Sequence, residues 1–209
     1  MRHILFAAVL ILAGCQSAYY AAAEKVGYHK RQILVDRIED TQTSQQEAQQ
    51  QFSSAVEQLK TLVHFNGGNL EQVYQQVKEE YDDAKSAAAS VKKHIDAVND
   101  VAEALFAEWQ LELEQYQSAN LRQNSAQQLR ETRQRYTAML TAMRRAEAKM
   151  TPILRQLNDN QLYLKHNLNA AAISAIGAEF QTLQQEINRL VQEMNAAIAE
   201  SDQFIASLK

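Results

Sequence analysis

The one thiol in this chain, Cys15, has the surroundings best suited to a covalent step. It follows Leu12-Ala13-Gly14, at the end of an apolar run from Ile4 to Leu12 that begins behind Arg2 and His3. A single cysteine cannot close an internal disulfide. Small residues at 13 and 14 let the peptide enter a signal peptidase, and the thiol beyond them can take a diacylglycerol. The apolar run is too short to span a bilayer permanently, which needs about 20 apolar residues. It reads as a cleaved signal segment, residues 1–14, followed by a lipidated tether at 15–23.

Elsewhere, side chains with chemical potential are sparse. His64, Asn66 and Asn69 fall in one break of the apolar pattern, and His166, Asn167 and Asn169 in another. Together they would make a partner-docking tip, or a weak site for a metal between two imidazoles. Asparagines at such breaks also cap helices and tolerate turns. No carboxylate or cysteine joins the histidines, so the usual zinc ligand set is incomplete and no metal is expected. Lys25, His29, Lys30, Arg31 and Arg37 form a basic start to the first long segment, and Arg122, Arg130, Arg133 and Arg135 fall early in the third. Cations beside an anionic membrane surface gain about 1 kcal/mol each. The competing reading is a solvated face interleaved with Glu24, Asp36, Glu39 and Glu131. Met139, Met143 and Met150 fall on an apolar seam and read as core packing rather than a soft-metal strip. Tyr74, Tyr81, Trp109 and Tyr116 share another seam, as aromatic packing or as a pocket for a flat apolar ligand. There is no Ser-His-Asp spacing, no His-Glu-x-x-His, no phosphate-cradling glycine loop and no paired Glu-x-x-His. No enzyme and no cofactor are expected. A net charge of −4 without a concentrated basic face points away from nucleic acid.

The elements that must position these residues are long. Only 5 glycines and 1 proline punctuate 209 residues, too few for a fold with many turns. Apolar side chains recur at alternating three- and four-residue steps, the spacing of a helix with one seam toward a partner. The first segment runs from about Glu24 to Val63, with its seam at Leu34, Ile38, Thr41, Gln45, Ala48, Phe52, Ala55, Leu59 and Leu62. Gly67-Gly68 ends it. The second starts at an Asn69 cap completed by Gln72, and carries Leu70, Tyr74, Val77, Tyr81, Ala84, Ala88, Val91, Ile95, Val98, Ala102, Leu105, Trp109, Glu112 and Tyr116. A turn at Ser118 to Asn120 follows, with Asn120 and Gln123 repeating the cap. The third segment carries Leu129, Thr132, Tyr136, Met139, Met143, Ala146, Met150, Ile153 and Leu157, with a kink expected at Pro152. Leu164 and Leu168 extend it to a break at His166 to Asn169; a break at Asn158 to Asn160 is the competing placement. The fourth carries Ile173, Ile176, Phe180, Leu183, Ile187, Leu190, Met194, Ala197, Ser201, Phe204 and Leu208, with Gly177 a place of close packing. Segments of matched length, roughly 60–70 Å at 1.5 Å per residue, with short turns between them, predict an all-α fold over 24–209: a long antiparallel four-helix bundle or coiled coil, up-down-up-down. An extended rod of two hairpins, stacked or homo-oligomeric, satisfies the same seams.

Two resemblances add to this. Leu12-Ala13-Gly14-Cys15 resembles the lipobox of bacterial lipoproteins, and Gln16 with Ser17 resembles an address to the outer membrane, facing the periplasm. The stretches from Glu24 to Arg37, Leu129 to Tyr136 and Leu162 to Ala170, with the lipobox, resemble a family of uncharacterised proteobacterial lipoproteins, a domain of unknown function. The resemblance implies a helical lipoprotein and carries no activity. The function expected is a membrane-anchored structural or adaptor bundle that binds a protein or the cell wall. The alternative is a bundle that opens to hold a lipid or other apolar ligand.

Overall fold

Apolar side chains at three- and four-residue steps fold the described part of this chain into four long helices. The computed structural model describes residues 30–208. The expectations for the 1–14 segment, for the tether with Cys15, for Lys25 and His29, and for a helix start at Glu24 lie outside the described residues. The helices are α1 (Lys30–Val63), α2 (Leu70–Glu112), α3 (Ala119–His166) and α4 (Ala170–Leu208), with a single 3-10 turn, Leu113–Gln115, after α2. No strand occurs among the described residues.

The helices close a ring: α1 packs on α2 and α4, and α3 packs on α2 and α4. Side-chain bonds give the direction of each pair. From α1 to α2, Lys30 Nζ meets Glu108 Oε1 at 3.0 Å and Gln58 donates to Gln76 at 3.0 Å. From α2 to α3, Arg144 donates to Asp96 at 2.6 Å, Tyr136 to Asn99 at 3.0 Å, and Trp109 to Ser125 at 2.8 Å. From α3 to α4, Lys149 meets Glu193 at 2.9 Å and Gln156 donates to Glu186 at 2.6 Å. From α4 back to α1, Gln42 donates to Asp202 at 2.8 Å and Gln49 to Asn195 at 3.1 Å. In every pair one residue number rises as the other falls, so neighbours are antiparallel. The architecture is the up-down-up-down bundle, and the open two-hairpin rod is excluded for this chain by the α1–α4 contact.

One continuous apolar core runs the length of the bundle. All nine seam residues read for α1 are buried, including Thr41 and Gln45, and so are all nine read for α3. Each large apolar side chain removed from water contributes about 1.5–3 kcal/mol. In α2 the seam drifts. Glu112 and Tyr116 are exposed, while Val101, Phe106 and Leu113 are buried. A straight helix at 3.6 residues per turn slips about 20° per heptad against a strict 3.5 repeat, and by its last turns α2 has slipped to a neighbouring row.

The breaks follow local chemistry. Gly67 and Gly68 take φ of 119° and 126°, which L side chains avoid. Asn69 Oδ1 accepts the Gln72 amide at 3.3 Å, as the cap signature predicts. The third helix starts earlier than read: Ser118, not Asn120, is its cap, its hydroxyl accepting the Leu121 amide at 3.4 Å. The break between α3 and α4 comes at Asn167–Asn169, so Asn158 to Asn160 stay helical and Leu168 stands exposed. Pro152 is exposed inside α3, where the helix continues through it. A Cβ on Gly177 would stand 3.3 Å from Val63 Cγ1, so the end of α1 and the start of α4 do approach closely there.

Candidate functional site

Closure of the ring gives the molecule two unlike ends. One holds the start of α1, the turn from Leu113 to Ser118 and the end of α4. The other holds the turns between α1 and α2 and between α3 and α4. With 43 residues in α2, the ends stand roughly 65 Å apart at 1.5 Å per residue.

At the first end, the described members of the basic cluster are partly ion-paired. Lys30 is bonded to Glu108, and Arg37 to Asp40 at 3.2 Å, while Arg31 is exposed. In early α3, Arg135 meets Glu131 at 3.4 Å, and Arg133 lies over the Phe106 ring and donates to the Phe106 carbonyl at 3.2 Å. The same end exposes Leu111, Tyr116 and Leu121.

The second end gathers His64, Asn66, Asn69, His166, Asn167 and Asn169. Three of these asparagines are occupied with helix ends. Asn69 caps α2, Asn169 Oδ1 accepts the amides of Ala171 and Ala172 at 3.0 and 3.1 Å, and Asn167 Nδ2 donates to the Tyr163 carbonyl at 3.0 Å. His64 Nδ1 bonds the Lys60 carbonyl at 2.8 Å. His166 and Asn66 are exposed. No group of three or more metal-ligating side chains occurs among the described residues.

Just inside that end, a groove of about 370 Å³ runs between α3 and α4. Asp159, Asn160 and Tyr163 line it from α3, and Ala175, Ile176 and Glu179 from α4. One turn of α3 places Asp159, Asn160 and Tyr163 along the edge that faces α4, and one turn of α4 answers with Ala175, Ile176 and Glu179. Ile176 is a buried floor; Tyr163 keeps 45% of its surface exposed. Neither Asp159 nor Glu179 has an ion pair among the described residues. Asn160 is 8% exposed, yet its side-chain amide has no hydrogen bond within the described residues. An acid pair, an unoccupied amide and an open aromatic face therefore share one groove. Sequence reading missed it. A signal existed, since Asn160 continues the seam Ile153, Leu157, Asn160, Leu164, a polar residue where the pattern wants an apolar one. Its pairing with Glu179 depends on the α3–α4 register, which no spacing within one helix reveals.

Among the described residues no helix is long and apolar enough to cross a membrane. Residues 19–208 match the model of a family described as Protein of unknown function (DUF2959). No curated protein and no solved structure matches the chain.

Proposed function

The chain belongs to this family of proteins of unknown function, DUF2959, and from that premise we propose that it is a lipid-anchored, non-enzymatic adaptor. Cys15 would carry the lipid, on a membrane facing the periplasm, and the bundle would hold its far end away from that membrane to meet a protein or cell-wall partner. The observation that carries this reading is the closed ring. It leaves one end beside the residue where α1 begins and presents two turns at the other, roughly 65 Å away.

Two further features support it. At the end where α1 begins, exposed Tyr116 is a residue type that favours a headgroup region, and exposed Leu111 and Leu121 put apolar surface beside it. The core along the body is filled with protein side chains, Phe52, Met139, Met143 and Phe204 among the most buried, which suits a stiff spacer better than a chamber for an apolar ligand.

The test is photocrosslinking in intact cells from His29 and from His166. A discrete partner captured from position 166 supports the adaptor. Capture of neither protein nor wall fragments from either position rejects it. Palmitate incorporation in the wild-type chain, lost in Cys15→Ser, checks the anchor separately; an unlabelled wild-type protein would remove it.

A further inference from the structure

We propose that the α3–α4 groove near the far end is a receptor for an arginine side chain of the partner protein. This deepens the adaptor reading and rests on it. Three observations converge. Asp159 and Glu179 bring two carboxylates to one groove and have no ion pair among the described residues. Tyr163 offers a ring face at the rim. Asn160, nine-tenths buried, lines the groove with an amide that bonds no described residue.

A guanidinium answers all three. Its planar fork donates to carboxylates in pairs and retains donors for an amide oxygen. Its face stacks on an aromatic ring. The methylene stem of arginine would lie against Ala175 and Ile176. A neutral sugar would use the ring and the amide but leave both negative charges uncompensated. An ammonium would neutralise charge without the planar fit.

The experiment uses the full chain in detergent micelles, with its asparagine side-chain amides followed by NMR. The probe is acetyl-Gly-Arg-Gly-amide, compared with the same peptide carrying citrulline, the neutral isostere, or lysine. Saturable shifts of the Asn160 amide are expected with the arginine peptide. Binding at least about tenfold weaker is expected with citrulline, and several-fold weaker with lysine. Asp159→Asn with Glu179→Gln should weaken arginine binding by about tenfold or more while the melting temperature holds, because both side chains are exposed and unpaired. Tyr163→Ala, also exposed, is an independent variant expected to weaken it several-fold. Equal binding of citrulline, equal or tighter binding of lysine, unchanged binding by the folded double variant, or preferential saturation by an N-acetylglucosamine trisaccharide or by calcium would overturn the proposal. Arginine binding that fails while position 166 still captures a partner sinks only the groove chemistry. Arginine binding that succeeds while no partner is captured sinks the adaptor reading instead.

Discussion

Gln45 is fully buried in the middle of α1, and neither its amide nitrogen nor its amide oxygen has a hydrogen-bond partner among the described residues. Its polar neighbours in the core are satisfied locally: Thr41, Ser44 and Ser201 each donate to a carbonyl of their own helix, at 2.8, 2.9 and 2.7 Å. A buried amide without a partner costs about 1–3 kcal/mol. Gln45→Met keeps the length and flexibility of the side chain and removes the polar atoms. It is expected to raise stability by about 1–2 kcal/mol, read as a higher urea midpoint with an unchanged slope. A lower midpoint would mean that something holds the amide in solution. Retention of such a residue suits a device that fixes helix register, as single polar residues do in coiled-coil seams. Tyr136 shows the satisfied counterpart. Burial pushes its phenol well above the ordinary range, with Glu103 adding to the effect, and the neutral hydroxyl donates to Asn99.

At the scale of the helices, the seams of α1 and α3 were legible residue by residue, because hydrophobic spacing reports which face of a single helix is dry. The last turns of α2 were not. There Glu112 and Tyr116 kept the count of a strict heptad while the real helix had turned past it to Phe106 and Leu113. The cap of α3 was misplaced because serine and asparagine stand two residues apart and either can accept an amide. Gly177 gives a pairwise test. Alanine there gains about 1 kcal/mol of helix propensity, against a contact 3.3 Å from Val63 Cγ1. Gly177→Ala is expected to stabilise by about 1 kcal/mol more in a Val63→Ala background than alone, measured as a double-mutant cycle in urea. Additive effects would mean that the two helix ends do not press on each other. The α2–α3 seam has an acid-sensitive clasp as well. Hydrogen bonds from Lys92 and then Arg144 hold the Asp96 carboxyl below the ordinary carboxylate range. A depressed folded value contributes stability above the unfolded pKa, near pH 4, and loses it as pH falls through the lower folded value. Asp96→Asn should therefore flatten the acid limb of a stability-against-pH curve and change little in strong salt, since the pair is exposed. An unaltered acid limb would count against the clasp.

For the whole molecule, the four-helix class followed from spacing and matched lengths, but closure did not: seams alone fit a rod of two hairpins equally well. What decides is the contact between α1 and α4, a meeting of the first and last helices that no local pattern encodes. The groove of Asp159, Asn160, Tyr163 and Glu179 was unreadable for a related reason, since its two walls come from different helices and meet only in the α3–α4 register, which no spacing within one helix reveals. His64 and the asparagines, by contrast, were legible as residues of turns. The proposed anchoring belongs to this scale too: if Cys15 carries the lipid, Cys15→Ser should release the protein from membranes into the soluble fraction of broken cells, assayed by fractionation, and retention at wild-type levels would remove Cys15 as the anchor.

The shared end of α1 and α4 has a practical corollary for anyone fitting the protein with a reporter. A fluorescent domain fused beyond Leu208 would hang beside the start of α1, crowded against the membrane if the proposed Cys15 anchor holds. A small tag spliced between Gly67 and Gly68, where the backbone already turns freely, would instead ride at the opposite pole. Dye pairs would show this directly, with strong energy transfer between positions 31 and 208 and weak transfer between 67 and 208, across the roughly 58 Å spanned by the 39 residues of α4.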